Sequence, residues 1–416
     1  MRRYESYKDS GVEWLGEVPS HWNLIPNKYI FKLRKNVVGK RSNEYDLLSL
    51  SLKGVIKRDM ENPEGKFPAE FDTYQEVKEG DFIFCLFDVE ETPRTVGLSS
   101  YRGMITGAYT IFETNNVDKK FIYYFYLNLD SDKRLKPLYK GLRNTISKET
   151  FFSFNTFIPP LSEQQKIAQF LDDKTAKIDQ AVDLAEKQIA LLKEHKQILI
   201  QNAVTRGLNP DVPLKDSSVE WIGQVPEHWE VKKLKFVLTL SNKKEESKNS
   251  NKRYIGMENI ESFTGKINDI PLIAEGIANS FYKDEILFGK LRPYLAKSYL
   301  ADFDGICSTE FLVYRSTKVL NNRFALNIFL SYGFIDAVNA STYGSKMPRA
   351  NAEFISNMFL AIPPLSEQQQ IADYLDKQTA KIDQAIALKI AHIEKLKEYK
   401  SVLINDVVTG KVRVSV

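Results

Sequence analysis

Cysteine is scarce in this chain, two in 416 residues, and Cys85 and Cys307 sit among apolar or small residues. Both read as buried free thiols rather than as a disulfide, which fits a reducing cytoplasm. Long apolar runs are missing as well: no stretch approaches the roughly 18 uninterrupted apolar residues of a membrane span. The opening Met1-Arg2-Arg3-Tyr4-Glu5-Ser6 has no apolar core, so no secretory signal is expected. There is no Gly-x-x-x-x-Gly-Lys-Ser/Thr loop, which speaks against ATP hydrolysis by this chain. Asn62-Pro63-Glu64 and Asn209-Pro210-Asp211 do not make the Asn-Pro-Pro-aromatic motif of amino-methyltransferases. Neither Gly-x-Ser-x-Gly nor His-Glu-x-x-His occurs. Glu64-Gly65-Lys66, with Asp46 or Asp59 upstream, has the spacing of a nuclease metal site, but such triples arise by chance in a charged chain. Nothing assembles a catalytic centre, and the chain is expected to carry no cofactor or metal of its own.

What is present is soluble and repetitive. The chain is 43% hydrophobic and 27% charged, enough apolar surface for real cores, and its length suits two or three domains. Ile158-Pro159-Pro160-Leu161-Ser162-Glu163-Gln164-Gln165 returns as Ile362-Pro363-Pro364-Leu365-Ser366-Glu367-Gln368-Gln369. Each copy opens a run with helical periodicity. In the first, Leu171, Ile178, Ala185, Leu192 and Leu199 interleave with Thr175, Val182, Ile189, Lys196 and Ala203. In the second, Leu375, Ile382, Lys389, Leu396 and Leu403 interleave with Thr379, Ile386, Ile393, Lys400 and Val407. Alternating steps of three and four place each set on one helix side, the a and d seam of a coiled coil.

Proline cannot sit inside a helix, so Pro-Pro ends what precedes it. Ser162 and Ser366 then read as N-caps, with Gln165 and Gln369 completing capping boxes. A helix from Ser162 to Thr205 would be about 66 Å long, a spacer more than a core element. Lys196 and Lys400 on the seam either fix its register or snorkel to solvent.

A second repeat matches Lys8–Trp22 to Lys215–Trp229, and these segments hold all four tryptophans. Paired Trp with Gly and Pro between them suggests a compact non-helical plug of structural role. A metal role for His21 and His228 is the weaker reading, for no Cys/His cluster accompanies them. The order Trp segment, variable region, long helix, written twice, implies a circular repeat. Its chain ends should lie near each other and its helices should pair antiparallel about a pseudo-twofold axis. The expected parts are 1–23, a Trp segment; 24–157, a variable domain; 158–208, a helix. The second set is 209–230, 231–361 and 362–416.

The variable regions carry short β-rich runs. Residues 80–87 parallel 284–291, and 103–112 parallel 305–314. Each pair is followed by an apolar helical stretch, near Lys119 to Leu129 and Arg323 to Tyr332. Polar loops come next, Lys140–Thr145 in one region and Gly344–Asn351 in the other. The fold expected is α+β, two such domains of one fold with different surfaces. Net charge is only +4. Lys232, Lys233, Lys235, Lys243, Lys244, Lys248, Lys252 and Arg253 nonetheless crowd one stretch, either a solvated face or a phosphate-facing patch.

The duplicated Pro-Pro-Leu-Ser-Glu-Gln-Gln helix start resembles the DNA specificity subunit of a Type I restriction-modification enzyme. Similar too are the Trp-Leu/Ile-Gly-x-Val-Pro-x-His-Trp segments and Ser345-Lys346-Met347-Pro348-Arg349. The resemblance covers essentially the whole chain. It implies two target recognition domains, each reading half of a bipartite double-stranded DNA site. The helices would set the spacer and dock two methyltransferase subunits, which motor-nuclease subunits join. AdoMet, ATP and Mg are then expected on the partners, and this chain is non-catalytic.

For DNA the expected residues are Arg94, Thr95, Tyr101, Arg102, Lys140, Arg143 and Asn144 in the first domain. Lys290, Arg292, Tyr294, Lys346, Arg349 and Asn351 serve in the second. Helix pairing should use Leu171, Ile178, Val182, Ile189, Leu192 and Leu199 against Leu375, Ile382, Ile386, Ile393, Leu396 and Leu403. A standalone DNA-binding module and a coiled-coil protein scaffold are the competing readings.

Overall fold

Residues 2–59, 70–141, 143–344 and 346–414 are described by the structure, a computed structural model; the Glu64-Gly65-Lys66 triple lies outside them. The chain divides into two units, Met1–Leu184 with Ala391–Val416, and Ala185–Ile390. Among the described residues no helix is long and apolar enough to cross a membrane.

In the first unit an antiparallel sheet runs in the order Phe31–Arg34, Thr110–Thr114, Phe82–Phe84, Val96–Leu98. Helix α1 (Lys119–Ser131) buries Phe121, Ile122, Phe125 and Leu129, the spacing of a one-sided helix. Its N-cap, Asp118, accepts from Phe121 N at 2.9 Å. A short helix, α2 (Lys148–Ser153), leads into a strand, Asn155–Ile158, paired with Asn23–Pro26. Pro159-Pro160 then release the chain into α3 (Leu161–Arg206). Aromatic rings fill the core: Phe84 and Phe151 lie 4.9 Å apart between centroids, Phe31 and Tyr126 5.4 Å.

The second unit repeats the order with Leu238–Ser241, Phe311–Ser316, Ile286–Gly289 and Ser298–Leu300. The apolar stretch expected as one helix is two, α4 (Asn322–Leu330) and α5 (Tyr332–Ala340). Buried Ser331 breaks it with extended backbone, φ −74° and ψ 140°, and its hydroxyl donates to the Ile328 carbonyl at 2.7 Å. Then come α6 (Ala352–Asn357), a strand at Phe359–Ile362 paired with Glu230–Lys233, and α7 (Leu365–Val408). A further sheet, Lys244–Glu246, Ile277–Phe281, Gly305–Cys307 and Tyr254–Ile255, has a smaller counterpart in the first unit, where Gln75–Val77 pairs antiparallel with Gly103–Ile105 and single bridges add Val37 and Leu47. Both cysteines are free and buried. Burial pushes the Cys307 thiol up to about 12, so it stays protonated and inert.

The helix starts differ from the expectation of serine caps. Both long helices begin one residue earlier, at Leu161 and Leu365. The Pro160 and Pro364 carbonyls accept the first N–H bonds, from Glu163 and Gln164 and from Glu367 and Gln368, at 2.8–3.0 Å. No N-terminal place remains for a serine cap. The buried amide is the first glutamine of each pair; of the second, Gln369 accepts from Asn321 Nδ2 at 2.8 Å and donates to Asp373 at 2.9 Å on the surface. Buried Gln164 donates to the Pro159 carbonyl and accepts from the N–H of Asp118, both at 2.8 Å. Buried Gln368 repeats this with the Pro363 carbonyl at 2.8 Å and the N–H of Asn321, the α4 N-cap, at 2.7 Å. Each glutamine therefore ties a long helix to the first turn of a recognition-domain helix.

The preceding glutamate receives the Trp segment. Glu163 accepts from Trp22 Nε1 at 3.2 Å and from Tyr4 Oη at 2.6 Å, and lies 2.7 Å from His21 Nε2. Glu367 holds Trp229 Nε1 at 3.1 Å and His228 Nε2 at 2.9 Å. These contacts give the histidines their place. The indoles also close the helix ends. Gly207 and Gly410 both adopt φ +74°, and a Cβ on Gly410 would lie 2.3 Å from Pro19, so only glycine fits there. In the same unit the N–H of Arg413 donates to the Arg2 carbonyl at 2.8 Å, so the chain ends meet as expected.

The seam pairs antiparallel inside each unit. In the first, Leu171 and Ile178 share a buried cluster with Leu403, Ile404 and Val407, and Lys400 reaches Asp179 at 2.6 Å. In the second, Ile200, Ala203 and Val204 meet Ile371 and Leu375. There Lys196 bonds Asp383 at 2.7 Å, and Lys389 bonds Gln188 at 2.6 Å. The seam lysines are thus paired rather than snorkelling, which fits the register-fixing reading. Ile382 and Ile393 are buried, and Val182, Ile189, Leu192, Leu199, Ile386 and Leu396 half-buried along the same faces.

Gln368→Ala strands the N–H of Asn321 and the carbonyls of Pro363 and Val319. It should lower unfolding free energy by about 1–3 kcal/mol, whereas Gln369→Ala, which removes solvent-exposed bonds to Asn321 Nδ2 and Asp373, should cost less than about 1 kcal/mol. Urea titration of the two variants measures the contrast.

Candidate nucleic-acid interface

The turn before the strand Gly103–Ile105 makes one corner of the first domain. Tyr101 is 38% exposed, and the Arg102 side chain 73%. Arg102 lies over the Tyr45 ring at 5.9 Å, and Lys57 over Tyr101 at 5.4 Å. Glu76 stands 3.8 Å from Arg102, and Asp46 2.6 Å from Lys57, so both cations are oriented yet open to solvent. Cations on aromatic faces suit phosphate contact and base stacking. Tyr45 and Lys57 were not expected. They come from the extended residue that closes the 3-10 turn Gly39–Glu44 and from the hairpin strand Gly54–Lys57, and only pairing of distant backbone brings them beside Tyr101.

Arg94 and Thr95 do not join this corner. Thr95 is 3% exposed, and its N–H donates to buried Asp130 at 3.0 Å. Arg94 lies 3.4 Å from the same carboxylate and donates to the Leu52 carbonyl at 3.2 Å. A carboxylate buried at the end of α1 needs those donors, which turns both residues inward. In the loop after α1, Lys140 and Arg143 are exposed. Lys140 and Thr145 pair through their backbones; Leu142 lies outside the described residues. Asn144 spends its amide on Glu90 at 3.3 Å, so among the described residues the loop presents its two cations to solvent.

The second domain brings its two expected groups together. The turn Leu291–Ala296 and the loop before α6 are zipped by backbone bonds. Arg292 N donates to the Pro348 carbonyl at 2.7 Å, and Ala350 N to the Lys290 carbonyl at 2.9 Å. Arg292 holds φ +50° and Ala296 φ +45°, an uncommon backbone for non-glycine residues and a candidate for functional strain. The rim of this corner exposes Tyr294, Tyr343 and Met347 at 44%, 65% and 51%, and Lys346 is exposed beside them; Ser345 lies outside the described residues. Arg349 is ion-paired to Glu310 at 3.0 Å. That hydrogen bond and the charge behind it raise the guanidinium pKa further. Asn351 caps α6, accepting from Glu353 N at 2.8 Å, which makes its side chain a structural one. Tyr343 and Glu310 were missed, since nothing in their sequence neighbourhood marks them.

The lysine-rich stretch is spread out rather than massed. Lys233 lies over the Phe359 ring at 5.5 Å, Lys243 over Tyr282 at 4.9 Å, and Lys235 bonds Asn357 at 2.9 Å. Lys248, Lys252 and Arg253 line an open cleft of about 760 Å³ with Tyr254 and Ile273. Lys252 is already bonded to Glu245 at 2.6 Å, and Arg253 to Asp269 at 2.5 Å. Among the described residues no cluster of histidine, cysteine or carboxylates forms a metal site.

Comparison with known proteins points one way. The family model of the type I restriction modification DNA specificity domain matches residues 100–193 and 226–395. The Type I restriction enzyme EcoDI specificity subunit of Escherichia coli is 25% identical over 258 residues, 57% of this chain and 58% of that one. The aligned part is thus less than two thirds of that relative. The MjaVIII specificity subunit of Methanocaldococcus jannaschii is 25% identical over 333 residues, 75% of each chain. Two solved chains share the fold. One, from work on complex assembly and conformational transition of the type I R-M system, has a TM-score of 0.68 at 12% identity, covering 95% of this chain and 99% of that one. The other, the HsdS subunit of Thermoanaerobacter tengcongensis, has a TM-score of 0.53 at 13% identity, covering 95% and 98%.

If the two corners contact DNA, Arg102→Ala and Arg349→Ala should each weaken binding of a cognate duplex about tenfold, read by fluorescence anisotropy. Loss of a base contact relaxes specificity at one position; loss of a phosphate contact weakens all sequences alike and flattens the salt dependence.

Proposed function

Since the chain belongs to the family of type I restriction modification DNA specificity domains, we propose that it is the DNA-reading subunit of a multisubunit restriction-modification complex. In this reading each variable domain recognises one half of a bipartite double-stranded site. The long helices set the spacer and dock two methyltransferase subunits, which motor-nuclease subunits join. The chain itself performs no chemistry; AdoMet, ATP and Mg act on the partners.

One observation carries the reading. Each unit repeats the same sheet order and the same Glu-Gln joint, yet the exposed corners on that repeated frame are chemically unlike. The first offers two cations over tyrosine rings; the second offers a zipped double loop with an arginine oriented by a glutamate. A repeated frame with unlike surfaces suits a protein that must hold two readers alike while they read different bases. Arg349 paired with Glu310 adds chemistry for discrimination, because guanidinium reads guanine and carboxylate accepts from cytosine.

Mixing the chain with methyltransferase subunits and AdoMet should give adenine methylation at a split motif, with none from either component alone. Sequencing of modified bases in DNA from a host carrying all partners reads the motif and its gap. Specific DNA binding with no partner-dependent methylation would favour a standalone binding module. Absence of DNA binding in either condition would favour a scaffold.

A further inference from the structure

In the second unit a small hairpin leaves the recognition domain and reaches the long helices. Ile260 bridges Ile267, and Glu261 N donates to the Lys266 carbonyl at 3.0 Å. Its tip turns through two left-handed residues, Phe263 at φ +61° and Gly265 at φ +71°. An aromatic residue in that region is rare, so the turn is held against its own preference. The Phe263 ring packs on the unit's core and sets the hairpin's direction. Lys266 then extends from the hairpin to Asp383 on α7 at 2.9 Å. On its other oxygen Asp383 already accepts Lys196 of α3 at 2.7 Å. One carboxylate therefore joins both long helices and the recognition domain.

Beside this contact the hairpin stands off the helices. A groove of about 1020 Å³ separates them, walled by the hairpin residues, by Gln197 and Ile198 of α3, and by Ile386 and Ile390 of α7. Elsewhere the domain is held to the helices by the apolar core around Ile200, Val204, Ile371 and Leu375, by Gln201 accepting from the N–H of Gly333 at 2.9 Å, and by the Gln368 joint; across this groove the tie is the charged pair of Lys266 and Asp383. Burial alone would raise the Asp383 pKa, but the hydrogen bonds from Lys196 and Lys266 outweigh it and hold the carboxyl below its ordinary value. The contact is therefore ionised at neutral pH. The first unit's corresponding pair, Lys400 with Asp179, is simpler. The Asp179 side chain is 60% exposed against 23% for Asp383, and among the described residues it bonds Lys400 alone.

We propose that Lys266 is a positioning residue that, through Asp383, pins the second recognition domain to its helices and so fixes the gap at which the second half-site is accepted. This rests on the function proposed above. The mechanical argument is one of scale. A base pair advances about 3.4 Å along the duplex, so a modest swing of a domain about the hairpin is enough to bring an adjacent gap length into reach. Lys266 touches no base in this scheme; it acts on which spacing is read, not on which sequence.

The test uses the full chain assembled with its methyltransferase partners and duplexes bearing both half-sites at gaps varied by single base pairs. Wild type should prefer one gap. Lys266→Met should raise methylation at a neighbouring gap about threefold relative to the preferred one, with the half-site sequences unchanged, and Lys266→Arg should restore the wild-type profile. A Lys266→Met profile identical to wild type overturns the proposal. So does loss of half-site recognition in that variant, which would make Lys266 structural. If wild type methylates no split site at all, it is the proposed function that fails, and the positioning role goes with it.

Discussion

A carboxylate and an amide on adjacent residues hold each half of this protein together. At the start of each long helix the glutamate takes the indole and imidazole of a Trp segment. The glutamine after it takes the N-terminal turn of a recognition-domain helix. These groups are buried or half-buried, where an unmet polar group is costly, so each joint is satisfied as a whole or strained as a whole. A helix start thus becomes a fitting that receives the preceding domain and the Trp segment at fixed angles. The repeated heptapeptide is explained by that geometry: prolines stop the strand, the carbonyl of the second begins the helix, and the glutamate and the first glutamine make the connections.

On these fittings the exposed surfaces are free to differ. The side chains that orient the corners are charged pairs at half-exposed sites, each worth little to stability. Substitution there changes what is presented without endangering the fold. The buried charges behave otherwise. Asp130 consumes Arg94 and the N–H of Thr95, and Asp383 consumes Lys196. Lys133 and Lys266, each at 2.9 Å, are the further partners of these two carboxylates, so removing one cation leaves each only partly compensated, and these carboxylates belong to the frame rather than to the reading surface.

Much of this was legible beforehand because it is periodic or duplicated. The seam residues, the antiparallel pairing and the meeting of the chain ends follow from heptads and from the order of the repeats. The sheet-forming runs 80–87 and 284–291 were visible as parallels between unlike regions. What the chain hid was local competition for hydrogen bonds. Ser162 looks like a cap until the Pro160 carbonyl is seen to start the helix, and Gln165 looks like its partner until Gln164 is found buried in the joint. Arg94 and Thr95 looked outward because the carboxylate that draws them in lies well along the chain. Tyr45, Lys57 and Glu310 complete the exposed corners through long-range pairing, which no spacing rule reports.

The central claim is that each variable domain reads one half-site independently of the other while the gap is set by the repeated frame and by how each domain is pinned to it. The most direct measurement exchanges residues 24–157 for the corresponding region of a relative and sequences the modified bases in a host supplying the partner subunits. The account predicts a new motif in which one half changes while the other half and the gap stay as they were. A motif changed in both halves, or in its gap, would contradict it.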